Sequence, residues 1–187
     1  MHEFQSVLLI GFSGFLSDAA VSIAHESKSV LAIGRNLARL EDLNRRVGIG
    51  DELVTAAVDY RNAHDLERAL TDHTQKHGEF DLVGVWMYRE SDQTRKVLKR
   101  FLGSVTQPCR VVWIHGSAAG DPSRLSPPKL TSNKYSLVSE VILGFQVESA
   151  GSRWLTHPEI CSGVETAIFE NKRRHIVGTV TPWSARP

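Results

Sequence analysis

One pattern constrains this chain more than any other. Short apolar runs, each long enough for a single strand, alternate with longer stretches whose apolar residues recur every three or four positions. Residues 6–10 (SVLLI), 29–33 (SVLAI), 53–58 (LVTAAV), 81–86 (DLVGVW) and 110–115 (RVVWIH) read as strands. Between them, 16–26 places Ala20, Ile23 and Ala24 on one helical face, and 37–46 does the same with Leu37, Leu40 and Leu43. Stretch 63–77 repeats the device with Leu66, Ala69 and Leu70, and 92–103 also reads as a helix. The strand runs are mostly apolar rather than alternating, which points to burial of both faces. That predicts an α/β fold: a doubly wound parallel sheet of about seven strands in a three-layer α/β/α sandwich. The 187 residues suffice for one domain, 1–187, and suggest no internal boundary.

The rhythm breaks in the last third. Stretch 118–133 holds Gly120, Pro122, Pro127 and Pro128 and reads as a loop. Stretch 140–147 fits a buried helix or a strand, and Gly144 with its β-branched neighbours favours the strand. Thr156 and Glu159 stand at capping-box spacing ahead of Ile160, Val164, Ala167 and Ile168, which marks a helix start. A last strand is expected over 175–180, closed by Pro182.

Bulk chemistry narrows the partners. A formal net charge of +1 gives no electrostatic case for nucleic acid or an anionic membrane, and no apolar run approaches a membrane span. The N-terminus lacks the pattern of a secretion signal. Cys109 and Cys161 form neither a disulfide framework nor a metal-ligand spacing, so a reduced, cytoplasmic setting without a metal is expected. A small molecule or nucleotide is the expected partner.

Gly11, Gly14 and Ser17 stand as G-x-x-G-x-x-S between the first strand and the first helix. A chain turning sharply from sheet to helix needs a residue without Cβ at Gly11, and a diphosphate can approach closely only where Gly14 is equally bare. The helix N-terminus then attracts the anion, with Ser13 and Ser17 offering hydroxyls. Gly11, Ser13, Gly14, Phe15 and Leu16 are the expected diphosphate contacts. The second strand ends Ile33-Gly34-Arg35-Asn36, where a dinucleotide's adenosine ribose should lie. No carboxylate is there to accept from a 2′-hydroxyl. Arg35, with Asn36, suits a 2′-phosphate, which favours NADP over NAD. Asp59 either accepts from the adenine amino group or caps the following helix.

With G11-F-S-G14-F-L, I33-G-R35-N36, V58-D59 and I114-H-G-S117-A-A-G120, the chain resembles the short-chain dehydrogenase/reductase family. The resemblance implies a Rossmann-like fold, NAD(P) binding, and hydride transfer to or from a carbonyl or alcohol. It puts Ser117 in the position of the serine that orients the substrate carbonyl. The family also uses a tyrosine followed four residues later by a lysine, which lowers the phenol's pKa. Here Tyr135 is the candidate tyrosine, but Ser139 stands where the lysine should be. The fourth strand ends in bulky Trp86-Met87-Tyr88, which would narrow the nicotinamide side. Two functions therefore remain open: an atypical NADP-dependent oxidoreductase, or an NADP-binding module without turnover, such as a redox sensor or partner subunit.

His115 ends the fifth strand and is a candidate acid or base beside Ser117. Its alternative is a partly buried histidine bonded within the fold. Gly151-Ser-Arg-Trp and Pro182-Trp-Ser-Ala-Arg each place a tryptophan near an arginine. They read as edge packing or as the interface of a homodimer or tetramer.

Overall fold

The computed structural model describes residues 3–48, 52–88, 91–116, 121, 133–149 and 151–187. Its centre is a seven-stranded parallel sheet. In chain order the elements are β1 (Val7–Ile10), α1 (Ser17–His25), β2 (Ser29–Gly34), α2 (Leu37–Val47), β3 (Glu52–Ala57), α3 (Ala63–His77), β4 (Leu82–Val85) and α4 (Asp92–Ser104). There follow β5 (Cys109–His115), β6 (Ser136–Leu143), β7 (Phe145–Glu148), β8 (Gly151–Trp154), α5 (His157–Phe169) and β9 (Arg174–Val177). The strand order is β3-β2-β1-β4-β5-β6-β9, with β7 and β8 forming a separate antiparallel hairpin.

The continuous apolar runs have the consequence expected of them. Val7 and Leu9 of β1 pack with α1, α2 and α5 on one face, while Leu8 and Ile10 pack with α3 and α4 on the other. Every residue of β1, β2 and β4 is buried. Four of the five described helix starts are fixed locally by a short polar side chain; α1, which begins after Leu16, has no side-chain cap. Asn36, Asn62, Ser91 and Thr156 accept the backbone N–H of Arg39, Asp65, Thr94 and Glu159 respectively. Asn62 therefore caps α3, and the capping role open to Asp59 falls away. Thr156 and Glu159 complete a full capping box.

Several boundaries differ from the sequence reading, and the last strand, expected over 175–180, is Arg174–Val177. The run expected as one strand over 140–147 is two elements. β6 starts earlier, at Ser136, and pairs along β5 from Cys109↔Ser136 to His115↔Ile142. The chain then bends at Gly144, where a Cβ would lie 2.0 Å from the Thr179 carbonyl oxygen, and continues as β7. β8, which pairs Trp154 with Phe145, lay hidden in the Gly151-Ser-Arg-Trp segment. The loop expected over 118–133 falls almost wholly outside the described residues. Among the described residues no helix is long and apolar enough to cross a membrane.

Candidate active site

The order β2-β1-β4 places a switch point between β1 and β4. The chain leaving β1 turns to the α1 face, and the chain leaving β4 turns to the α4 face. A crevice opens there, at the carboxyl ends of the strands.

Gly11 forms its floor. Its φ is +81°, and a Cβ would stand 2.0 Å from the carbonyl oxygen of Trp86, so only glycine lets the turn pass this close to the end of β4. The two phenylalanines of the turn part company. Phe12 is fully buried beneath the sheet end, against Gly84. Phe15 is half-buried and meets Trp86 edge-on, with ring centroids 5.1 Å apart. Ser13 lies over the end of β2, its Oγ 2.6 Å from where a Cβ on Gly34 would be. Leu16 is buried at the α1 N-cap.

Cations surround the turn. Arg35 is exposed at the end of β2, with its guanidinium 5.8 Å from the centre of the Tyr60 ring. The side-chain oxygen of Asn36 is engaged by the Arg39 N–H at 3.1 Å. Arg39, not singled out from the sequence, reaches back so that its Nη1 lies 3.4 Å from the Cβ position of Gly14. Its signal was the spacing: Arg35 and Arg39 are four apart at a helix start. Asp59 is held by Arg61, which donates to it at 2.6–3.1 Å, and this pairing lowers its pKa to about 2.

α1 begins against α5. The Cys161 thiol donates to the Phe15 carbonyl at 3.1 Å, and the N–H groups of Asp18 and Ala19 face the same sulfur. Burial outweighs those amides and pushes the thiol pKa up.

A cavity of about 330 Å³ adjoins the turn. Its side-chain walls are Phe15, Trp86, Tyr88, Trp154, Leu155 and Ile160, joined by Leu143 and the backbone of Gly116 and Gly144. The Trp86 ring spans the crevice floor: its Cδ1 lies 3.3 Å from the Cβ position of Gly11 and its Cη2 2.5 Å from that of Gly116. Tyr60 fixes the segment beyond Trp86. Its hydroxyl donates to the Tyr88 carbonyl at 3.1 Å and accepts the Tyr88 N–H at 3.0 Å. A second cavity, about 380 Å³, runs along β3 and α3 and shares no residue with the crevice.

The three expected catalytic side chains do not come together. Tyr135 immediately precedes β6, and its carbonyl accepts the N–H of Cys109, the first residue of β5. It lies at the amino ends of the strands, with the Lys134 ammonium 4.9 Å from its ring centre. Parallel pairing puts the full length of β6 between it and the crevice, so it cannot meet a substrate there. His115 is at the carboxyl end of β5 but is buried, with Nε2 3.0 Å from Glu140 Oε1. Burial pulls its pKa down against the opposing pull of Glu140. Of the two readings of His115, the fold favours the internally bonded one. Ser117 lies outside the described residues. Among the described residues no group of three His, Cys, Asp or Glu could hold a metal.

In sequence, no protein-family model and no curated protein matches this chain. In fold it matches many solved structures. A short-chain dehydrogenase/reductase of glucose/ribitol dehydrogenase type from Brucella melitensis superposes with a TM-score of 0.67 at 14% identity, covering 95% of this chain and 96% of that one. A metagenomic short-chain oxidoreductase in complex with NADP gives 0.62 at 14% identity, covering 98% and 97%. A structure from Haemophilus influenza with bound NAD, described as a D-mannonate oxidoreductase, gives 0.65 at 10% identity, covering 94% of each chain. The seven-stranded Rossmann-like sheet, its switch-point crevice and these superpositions together establish that the chain has the fold of the short-chain dehydrogenase/reductases.

Proposed function

We propose that this protein is an NADP-dependent oxidoreductase of short-chain dehydrogenase type, acting on a carbonyl or alcohol at the carboxyl ends of β1, β4 and β5. One observation carries the reading: a single turn serves both halves of such a site. The bare bend at Gly11, with Ser13, Arg35 and Arg39 around it, forms a polar, cationic cradle, and Phe15 of the same turn walls the adjoining cavity. This fits a dinucleotide, whose phosphates need close backbone approach and cations and whose reactive ring needs a drier space.

In this reading Gly11, Ser13, Gly14, Phe15 and Leu16 flank the diphosphate. Arg35, Asn36 and Arg39 take the 2′-phosphate, and Asp59 lies by adenine with Arg61 bound to it. When bound, NADPH supplies a hydride to a carbonyl carbon, and a proton completes the alcohol. Phe15 and Trp86 keep water from the reacting end, and Ser117, next in sequence to the Gly116 wall, orients the carbonyl oxygen. No proton transfer is assigned to His115, whose Nε2 is engaged by Glu140.

A second reading, nucleotide binding without turnover, is favoured by the position of Tyr135. It is favoured too by the sequence: none of Tyr60, Tyr88 and Tyr135 is followed four residues later by lysine. Titrating NADPH by its fluorescence, then following its near-ultraviolet absorbance against a panel of aldehydes and ketones, tests both. Binding with oxidation supports the enzyme. Tight binding with no oxidation across the panel supports the second reading, and no binding overturns both.

A further inference from the structure

The turn between β3 and α3 bears on how the cofactor's adenosine end is recognised. We propose that Tyr60 is a positioning residue: its buried ring holds the Arg35 guanidinium ready for the 2′-phosphate. That the anion is a 2′-phosphate rests on the NADP reading above.

Arg35 is exposed at the end of β2, and a long side chain in water samples many rotamers. An anion that must first gather such a side chain binds more weakly. Here the gathering is done beforehand. The guanidinium carbon of Arg35 lies over the Tyr60 ring, 5.8 Å from its centre, within range of the attraction between a cation and a ring face. That contact takes up none of the guanidinium N–H groups, so it leaves intact the fork that grips a phosphate.

The ring itself is fixed. Tyr60 is buried in the core that also holds Leu66, Val85 and Met87. Its hydroxyl is engaged by both backbone groups of Tyr88, at 3.0 and 3.1 Å, and its carbonyl by the Thr94 hydroxyl at 2.7 Å. The chain on either side is pinned as well. The Val58 N–H donates to the Gly34 carbonyl at 2.9 Å, which ties the end of β3 to the residue before Arg35. The Asn62 N–H donates to the Asp59 carbonyl at 2.8 Å across the turn. Ring and guanidinium thus stand on neighbouring strands whose ends are joined.

The same turn disarms a competitor. Asp59 lies close enough to feel the Arg35 charge, and a carboxylate pairing with Arg35 would take the place of the phosphate. Arg61 prevents this by engaging both carboxylate oxygens. It donates from Nε to each at 3.1 Å, from Nη2 to Oδ2 at 2.6 Å and from its backbone N–H to Oδ1 at 3.0 Å.

Fluorescence titration of the full chain with NADPH and with NADH tests this role. The ratio of the two affinities is the readout, since it cancels any fraction of chain that does not fold. Tyr60→Leu should weaken NADPH about three- to tenfold and NADH less than about twofold, so that the ratio falls. Tyr60→Phe, which keeps the ring, should hold the ratio within about twofold of the parent value. On an Arg35→Gln background Tyr60→Leu should move the ratio no further, because the ring then has no guanidinium to hold. An unmoved ratio in Tyr60→Leu, an equal fall in Tyr60→Phe, or a fall that persists without Arg35 each overturns the proposal. Tyr60→Met, which fills the site with a flexible chain, carries the same prediction should Tyr60→Leu not fold. A parent chain that binds NADPH no better than NADH removes the NADP reading and the proposal together. A parent preference that Tyr60→Leu leaves intact removes the proposal alone.

Discussion

The hydroxyl of Tyr60 clamps both backbone polar groups of Tyr88, accepting its N–H at 3.0 Å and donating to its carbonyl at 3.1 Å. Tyr60 is buried, its own carbonyl accepts from Thr94 Oγ1 at 2.7 Å, and its ring lies beneath the Arg35 guanidinium. Through its side chain and its carbonyl, Tyr60 thus joins the end of β2, the start of α4 and the wall of the aromatic cavity. Tyr60→Phe keeps the ring and strands the two Tyr88 groups. It should cost about 1–3 kcal/mol, read as a lower urea midpoint with an unchanged m-value.

Gly11→Ala tests the floor of the crevice. A Cβ would be forced to within 2.0 Å of the Trp86 carbonyl oxygen, in a left-handed conformation that L residues avoid. Backbone strain and overlap together should destabilise the fold by at least about 3 kcal/mol. A urea midpoint indistinguishable from that of the parent chain would show that the β1 turn does not approach β4 this closely.

Arg35→Glu tests the choice of cofactor. A guanidinium bonded to a 2′-phosphate is worth about 1.5–3 kcal/mol, so NADPH affinity should drop roughly ten- to a hundredfold. NADH, which lacks that phosphate, should lose little. Equal losses in parallel fluorescence titrations would remove Arg35 from the ribose site.

His73 sets an acid limit on stability. Its ring is stacked between His77 and Phe80 at 4.4 and 5.1 Å, and it is 4% exposed. Burial first, then the neighbouring charges of His77 and Lys76, lowers its pKa to about 4. Below the ordinary value of 6.5 the unfolded chain takes a proton that the folded chain refuses. The stabilisation is therefore whole above about pH 6.5 and declines as pH falls towards 4, by at most about 3 kcal/mol. His73→Phe, which keeps the stack, should flatten this limb of the urea midpoint against pH. An unchanged slope would assign the acid limb to other groups.

The two thiols should be silent. Both are buried, and burial pushes Cys109 up to about 12 and Cys161 upward as well. A disulfide reagent at pH 8 should modify neither until denaturant opens the fold. Rapid stoichiometric labelling of the native chain would contradict that placement.

Much of this was legible in the chain itself, because the signals were local. The strand at Val7–Ile10, the glycine at the bend and the Thr156–Glu159 capping box each follow from residues within a few positions of one another. Other features had no local signal. The 140–147 run was apolar enough for either element, and its division at Gly144 comes from the close passage of the Thr179 backbone, far along the chain. Arg39 over Gly14, and the cavity that Phe15 and Trp154 line together, likewise bring distant segments together.

The sequence by itself determined the layering of this protein and the glycine bend after its first strand, since periodic burial and backbone sterics act over a few residues. Only the tertiary structure decided which end of the sheet each candidate side chain occupies. The pairing of β6 with β5 leaves Tyr135 at the amino ends and puts His115 against Glu140. Strand register between distant segments is set by packing of the whole core, which no short stretch of sequence encodes.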